Sequence, residues 1–91
     1  MMVQYEIRVI GRVQGVGFRY HTKKLASDFG LKGWVKNMAD GSVLMVVQGE
    51  KAQLDTFIDY LWIGPTLSSV SRVTVSPIET AEKFQDFRIK Y

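Results

Sequence analysis

The sequence predicts an α/β (α+β) fold in which two helices cover one face of a mainly antiparallel sheet of four or five strands. Segments that alternate between apolar and polar residues, as half-buried strands do, are interspersed with two segments of helical apolar spacing. Both helical segments are amphipathic, so each must pack its apolar stripe on a partner, and one sheet can accept both. The 91 residues predict a single domain, 1–91, with one core.

The first strand, a loop and the first helix follow one another at the start of the chain. Residues 3–9 alternate strictly between apolar and polar side chains, which predicts a strand. The alternation breaks at the glycine-rich residues 11–17. Residues 18–29 then carry apolar side chains at helical spacing, and Gly30 follows at the position where a glycine often ends a helix.

A hairpin is predicted next. Residues 31–38 predict the second strand, and the strongly apolar residues 42–48 predict the third. The pair Asp40-Gly41 between them is a two-residue signal for a tight turn. We therefore expect these two strands to be antiparallel neighbours.

The second half of the chain predicts one more helix and two more strands. Apolar residues at helical spacing cover 54–61, and Gly64-Pro65 ends that helix. Residues 70–75 predict the fourth strand, and alternation over 87–91 predicts the fifth. The order β-α-β-β-α-β with one additional strand is the ferredoxin-like sandwich. Because this fold hosts many functions, it does not by itself predict an activity.

Composition excludes several kinds of protein and catalyst. The chain is 46% apolar and 23% charged, which is ordinary for a globular domain and unlike disordered or fibrous proteins. It has no cysteine and one histidine, His21, which excludes disulfides, thiolate nucleophiles and a multi-histidine metal site within one chain. Neither a membrane-spanning stretch nor a signal peptide is recognisable, so we expect a cytoplasmic protein.

Charge is distributed unevenly along the chain. The net charge is +3, but residues 1–36 carry seven cations and two acids and the remainder carries five cations and seven acids. A basic first part favours an anionic ligand. A scattered solvated surface is the alternative explanation of the same charges.

The loop between the first strand and the first helix is the most informative segment. Gly15 and Gly17 can adopt positive φ and let backbone N–H groups turn toward an anion. The helix that follows adds its unsatisfied N–H groups and the positive end of its dipole. Arg19 stands at the helix entry, where its planar guanidinium can hold two phosphate oxygens. The sequence therefore predicts a phosphate cradle, although a glycine-rich turn with a surface arginine remains an open alternative.

Other phosphate motifs do not fit this loop. It lacks the G-x-x-x-x-G-K-[ST] pattern of a nucleotide-binding P-loop, and Tyr20 stands where a dinucleotide fingerprint has its third glycine. The absence of cysteine excludes a thiol phosphatase loop.

Two segments resemble the signatures of the acylphosphatase family. The first is Gly-Arg-Val-Gln-Gly-Val-Gly-Phe-Arg at residues 11–19, and the second is Gly-Leu-Lys-Gly-Trp-Val-Lys-Asn-Met-Ala-Asp-Gly-Ser-Val at residues 30–43. Their separation and the chain length also fit, so the resemblance covers essentially the whole chain as one acylphosphatase-like domain. The family also occurs as one domain of large hydrogenase-maturation proteins, and we expect this chain to be a stand-alone member.

The resemblance implies a small enzyme, free of metal and cofactor, that hydrolyses acyl phosphates to a carboxylate and inorganic phosphate. By motif position, Arg19 corresponds to the phosphate-binding arginine and Asn37 to the asparagine that orients the attacking water. The family's phosphate cradle corresponds to the backbone amides of Gln14, Gly15, Val16, Gly17, Phe18 and Arg19.

Three further residues lie in or near the two signature segments. Ser42 is a candidate support for Asn37, and a plain strand-start residue explains it equally well. Asp40 fits turn chemistry better than a metal site, and His21 fits a surface helix position better than a second phosphate contact.

The expected partners are a small-molecule acyl phosphate and inorganic phosphate, which is both product and competitive inhibitor. We expect a monomer that binds neither nucleic acid nor membrane. Two alternatives on the same fold stay open. A phospho-ligand sensor would bind without turnover, and an RNA-binding module would need exposed aromatic residues on the central strands, where the sequence offers only Tyr5.

Overall fold

The computed structural model describes residues 1–79 and 82–91. It contains five strands and two helices in the described residues. Their bounds are β1 (Met2–Arg12), α1 (Phe18–Asp28), β2 (Lys32–Asn37), β3 (Val43–Glu50), α2 (Lys51–Ile63), β4 (Ser69–Pro77) and β5 (Phe87–Lys90).

The five strands form one sheet in the order β4-β1-β3-β2-β5. The pairs β1–β3, β1–β4 and β2–β3 are antiparallel, whereas β5 runs parallel to β2. The predicted ferredoxin-like sandwich, with two helices on a mainly antiparallel sheet, is therefore confirmed. The parallel pair matters for function because it brings the end of β5 beside the end of β2.

The core lies between the helices and the sheet. The alternation of β1 turns Ile7 and Val9 inward, where both are fully buried, and α2 contributes Leu54, Phe57 and Leu61. Burying such side chains is worth about 1.5–3 kcal/mol each. Among the described residues, no helix is both long and apolar enough to cross a membrane.

The first strand is longer than its alternation predicts. Gly11 was expected to break it, but β1 continues to Arg12 and pairs with Ser69 and Val70 of β4 after an irregularity at Ile10. Gly11 has φ 138°, and a Cβ there would lie 2.2 Å from the Ser69 carbonyl oxygen. The glycine therefore permits a close strand contact at a bulge instead of ending the strand.

The C-terminus of α1 ends as the sequence predicts. Gly30 has φ 70°, and its N–H donates to the Ser27 carbonyl at 3.1 Å while the Leu31 N–H donates to the Ala26 carbonyl at 2.8 Å. This pair of bonds is a Schellman motif, in which a glycine closes the helix at low steric cost. It directs the chain straight into β2, which carries Asn37 at its far end.

Candidate functional site

The loop between β1 and α1 contains two glycines in the left-handed backbone conformation. Gly15 has φ 73° and Gly17 has φ 79°, a region that strains most other residues. Gly17 is the N-cap of α1, and within the described residues no side chain caps the helix there. The first helical bond runs from the His21 N–H to the Gly17 carbonyl. The N–H groups before His21 are therefore available to a ligand at the positive end of the helix.

A pocket of about 220 Å³ opens at this helix terminus. It lies where the loop, the first turn of α1, the end of β2 and the end of β5 meet. Its lining residues are Val13, Gly15, Gly17, Phe18, Arg19, Tyr20, Asn37, Ile89 and Tyr91. The structure thus brings the two predicted catalytic residues, Arg19 and Asn37, to one cavity.

Arg19 is oriented by the last residues of the chain. Its Nη1 donates to the Lys90 carbonyl oxygen at 3.4 Å, and its guanidinium carbon lies 4.7 Å from the centre of the Tyr91 ring. The first contact is a long hydrogen bond and the second is a cation–π contact. Together they hold the guanidinium at the pocket wall, with other donors left for an anion.

Asn37 presents an unused acceptor. It is the last residue of β2, and in the described part of the chain its side-chain Oδ1 is buried without a hydrogen-bond partner. An unpaired buried acceptor costs about 1–3 kcal/mol. Because Asn37 lines the pocket, a ligand group or water molecule that donates a hydrogen bond would remove this cost.

A hydrogen-bonded turn follows Asn37. The Asp40 Oδ1 accepts hydrogen bonds from the Ser42 N–H at 2.9 Å and the Ser42 hydroxyl at 2.6 Å, an Asx-type turn. Arg8 of β1 donates to the Ser42 hydroxyl oxygen at 2.7 Å and to Asp40 Oδ2 at 3.1 Å. The bonds from the Ser42 hydroxyl and N–H hold the pKa of the Asp40 carboxyl below its ordinary value, with a smaller contribution from the Arg8 charge.

Three of the predicted site residues do not line the pocket. The Gln14 side chain donates to two carbonyl oxygens of the β2–β3 turn, those of Met38 and Ser42. Val16 packs against the core, and the Ser42 hydroxyl bonds to Asp40 and Arg8. The support of Asn37 by Ser42 stays a prediction.

His21 stands outside the pocket lining. It is half-buried beside the Phe18 ring, with 6.2 Å between ring centres. Burial lowers the pKa of its imidazole, and the charge of Lys24 lowers it further. The site therefore gains no cation from His21 near neutral pH.

Sequence reasoning missed four pocket residues, Val13, Tyr20, Ile89 and Tyr91. Val13 lies in the signature segment 11–19, one position before the residues assigned to the cradle. The sequence predicts Ile89 and Tyr91 only as part of an alternating strand, whereas β5 ends at Lys90 and Tyr91 follows it. Alternation carries no information on which strand β5 joins. Tyr20, which is largely exposed, was noted only for filling the place of a glycine.

The RNA-binding alternative is not favoured by the sheet. Its central strands are β1 and β3, and β3 has no aromatic residue. Tyr5 of β1 is half-buried against the core. Base stacking needs aromatic rings on the open face of these strands.

Comparison with known proteins points to one family. The acylphosphatase family model matches residues 5–89. An acylphosphatase of Archaeoglobus fulgidus is 43% identical over 90 residues, which cover 99% of this chain and 100% of that protein. An acylphosphatase of Mesorhizobium japonicum is 49% identical over 84 residues, which cover 92% of this chain and 89% of that protein.

Solved structures agree with the sequence comparison. The crystal structure of acylphosphatase from Bacillus subtilis superimposes with a TM-score of 0.94 at 40% identity, covering 100% of both chains. The similarity therefore includes the loop, the hairpin and the last strand, which together form the pocket.

Proposed function

The chain belongs to the acylphosphatase family, and from this membership we propose how its residues hydrolyse acyl phosphates. In this proposal the loop amides and Arg19 bind the phosphate, and Asn37 orients the attacking water. The observation that carries it is the unpartnered buried Oδ1 of Asn37 in the same pocket as the Arg19 guanidinium.

The chemistry of the substrate makes so small a set of groups sufficient. An acyl phosphate is a mixed anhydride whose leaving group is a carboxylate, with a conjugate-acid pKa of about 4.3 by analogy with Glu. Such a leaving group needs no general acid. Phosphoryl transfer commonly passes through a loose transition state with little bonding to the nucleophile, so charge stabilisation and positioning carry most of the catalysis.

The phosphate is bound by the loop amides and by Arg19. Arg19 has the one cationic side chain among the described residues that line the pocket. Its guanidinium lies at the same pocket as the first residues of α1, so the guanidinium and the N–H groups of that turn can contact the phosphate oxygens on which charge accumulates. A fixed array of donors stabilises that charge without reorganising during the reaction.

Water activation falls to Asn37. The Oδ1 atom accepts a hydrogen bond from water and holds it in line with the leaving carboxylate. The water oxygen forms a bond to phosphorus while the bond between phosphorus and the acyl oxygen breaks, and the carboxylate leaves with the electron pair. The described lining residues include no Asp, Glu, His or Lys side chain, and in this proposal the water proton passes to a phosphate oxygen of the substrate.

The first test compares the wild type with Arg19→Ala on acetyl and benzoyl phosphate. Loss of one preorganised charge partner should lower kcat by about 10²–10³, and Asn37→Ala should have a similar effect. The matched control is Arg72→Ala, since Arg72 is exposed on β4 and outside the pocket. Inorganic phosphate should inhibit competitively.

Two results would contradict the proposal. One is a folded wild-type protein that leaves acyl phosphates at their spontaneous rate. The other is an Arg19→Ala variant with the turnover of Arg72→Ala. Phosphate binding without turnover would instead support the phospho-ligand sensor.

The remaining expectations concern the working state of the protein. The proposed unit is residues 1–91 acting as a monomer in the cytoplasm without nucleic acid, metal or cofactor. The composition of the pocket supports the monomer, because a single chain supplies a cation, a water acceptor and helix N–H groups. Turnover should be independent of protein concentration and unaffected by a chelator.

A further inference from the structure

The Gln14 side chain joins the phosphate loop to the hairpin that carries Asn37. Its Nε2 donates to the Met38 carbonyl oxygen at 2.7 Å and to the Ser42 carbonyl oxygen at 2.9 Å. Both acceptors are carbonyl oxygens, so the Gln14 NH₂ group uses both of its N–H donors here. A side chain 24 residues away from Met38 thus crosses from one half of the pocket to the other.

The two acceptors flank the Asn37 position. Asn37 pairs with Val43 at the end of the β2–β3 ladder. Met38 directly follows β2, and Ser42 directly precedes β3. The Met38 N–H donates to the Ser42 carbonyl at 2.8 Å, and the Gly41 N–H donates to the Met38 carbonyl at 3.1 Å. The Gln14 amide therefore binds across the neck of the turn.

The turn itself is held on its other side. The Asp40 carboxylate accepts hydrogen bonds from the Ser42 hydroxyl and N–H, and Arg8 of β1 donates to both residues. The hairpin neck is thus ordered by its own bonds and by β1. The bonds from Gln14 are the hydrogen bonds in the described residues that connect this neck to the phosphate loop.

We infer that Gln14 is a positioning residue that sets the distance between the phosphate cradle and the Asn37 amide. The inference rests on the proposed function, in which the cradle holds phosphorus and Asn37 holds the water. Gln14 lies just before Gly15 at the start of the cradle, so a movement of the hairpin neck relative to the loop changes the alignment of water and phosphorus. Alignment errors affect the chemical step more than the binding of phosphate.

Gln14→Met is the principal test, because it removes both donors at nearly constant side-chain length. We expect kcat to fall roughly 10- to 100-fold, the loss that a displacement of about 1 Å can cause, while the inhibition constant of inorganic phosphate is unchanged. The matched control is Gln53→Met, since Gln53 is an exposed residue of α2. Circular dichroism and urea unfolding establish that each variant is folded.

A double-mutant cycle separates positioning through Asn37 from an effect on the loop alone. In an Asn37→Ala background, Gln14→Met should lower kcat no further, because no water acceptor remains to be positioned. Gln14→Lys, which restores donors to the two carbonyl oxygens, should recover part of the lost kcat. If Gln14→Met fails to fold, Gln14→Asn replaces it, because the shorter amide stays polar but no longer reaches both carbonyl oxygens. The same loss of kcat is then expected.

Three outcomes would overturn the inference. These are an unchanged kcat, an equal loss of kcat in both backgrounds, and a loss of phosphate affinity as large as the loss of kcat. Each is distinguishable from failure of the proposed function, which is tested by wild-type turnover and its loss in Arg19→Ala.

Discussion

At the scale of single residues, the site is marked by a polar atom that has no internal partner. The described residues contain two such buried side-chain atoms, the Asn37 Oδ1 and the Thr22 Oγ1. Thr22 is fully buried on α1 and lies outside the pocket lining, whereas Asn37 opens into it. The two atoms carry a similar folding cost, but only the one in the pocket can be used by a reacting water.

Asn37→Leu should therefore separate stability from activity. The substitution removes an unpaired buried acceptor and keeps the branching at Cγ, so the free energy of unfolding should be unchanged or rise by about 1–3 kcal/mol, while turnover is lost. Urea unfolding and kcat for acetyl phosphate measure the two effects.

Thr22→Val is the matched control for that substitution. It removes the other unpaired acceptor and should raise the free energy of unfolding without changing kcat. A clearly destabilised Asn37→Leu would mean that the Asn37 amide makes folding contacts, and its role in catalysis would then need another explanation.

At the scale of elements, the turn of the β2–β3 hairpin is stabilised by the charged side chain of Asp40. The Asp40 carboxylate accepts two hydrogen bonds from Ser42 and pairs with Arg8. A carboxyl whose pKa is lower in the folded than in the unfolded state contributes stability above its unfolded pKa, about 3.9. That contribution is lost as the pH falls through the lower folded value.

Asp40→Asn should reduce the acid sensitivity of the fold. The wild type should lose more stability than Asp40→Asn between pH 5 and pH 2, an interval that spans the carboxyl pKa of about 3.9. Urea midpoints at several pH values measure the difference. Asp59→Asn, at an exposed position of α2, is the control and should follow the wild type. Equal acid sensitivity in all three proteins would show that the Asp40 carboxylate does not stabilise the hairpin.

The hairpin and the loop can each be predicted from the sequence because both depend on local chemistry. The contacts between them cannot be predicted in this way. The turn at Asp40-Gly41 and the end of α1 at Gly30 are decided by residues a few positions apart, so their signals lie in short segments. The prediction that the first strand ends at Gly11 is wrong, because the role of this glycine depends on β4, a strand far away in sequence that approaches it closely. Gln14 was assigned to the cradle through its backbone, and its side-chain partners lie across a tertiary contact.

At the scale of the whole molecule, one element that contributes to the core, α2, lies outside the described lining of the pocket. The lining residues come from the loop, α1, β2, β5 and the residue that follows β5, and among the described residues none comes from α2 or β4. The helix α2 contributes Leu54, Phe57 and Leu61 to the core. We therefore expect core substitutions in α2 to change stability and leave the chemistry of the folded molecules intact.

Leu54→Ala tests this separation. Removing a fully buried leucine should lower the free energy of unfolding by about 2–5 kcal/mol, measured by urea unfolding. The kcat of the folded fraction at 25 °C and the inhibition constant of phosphate should match the wild type.

Ile63→Ala, at an exposed position of the same helix, is the control and should be close to the wild type in both measurements. A folded Leu54→Ala protein with reduced kcat would show that α2 sets the pocket geometry.

The sequence by itself determined the elements, the glycine-rich loop, the hairpin, and the types of residue at Arg19 and Asn37, because periodicity and turn chemistry act over a few residues. Tertiary structure decided that β5 lies beside β2, which brings the Lys90 carbonyl to Arg19 from 71 residues away. It also decided that the Gln14 amide reaches the hairpin neck. Both contacts depend on strand order and on the separation of packed elements, and alternation along one segment contains neither.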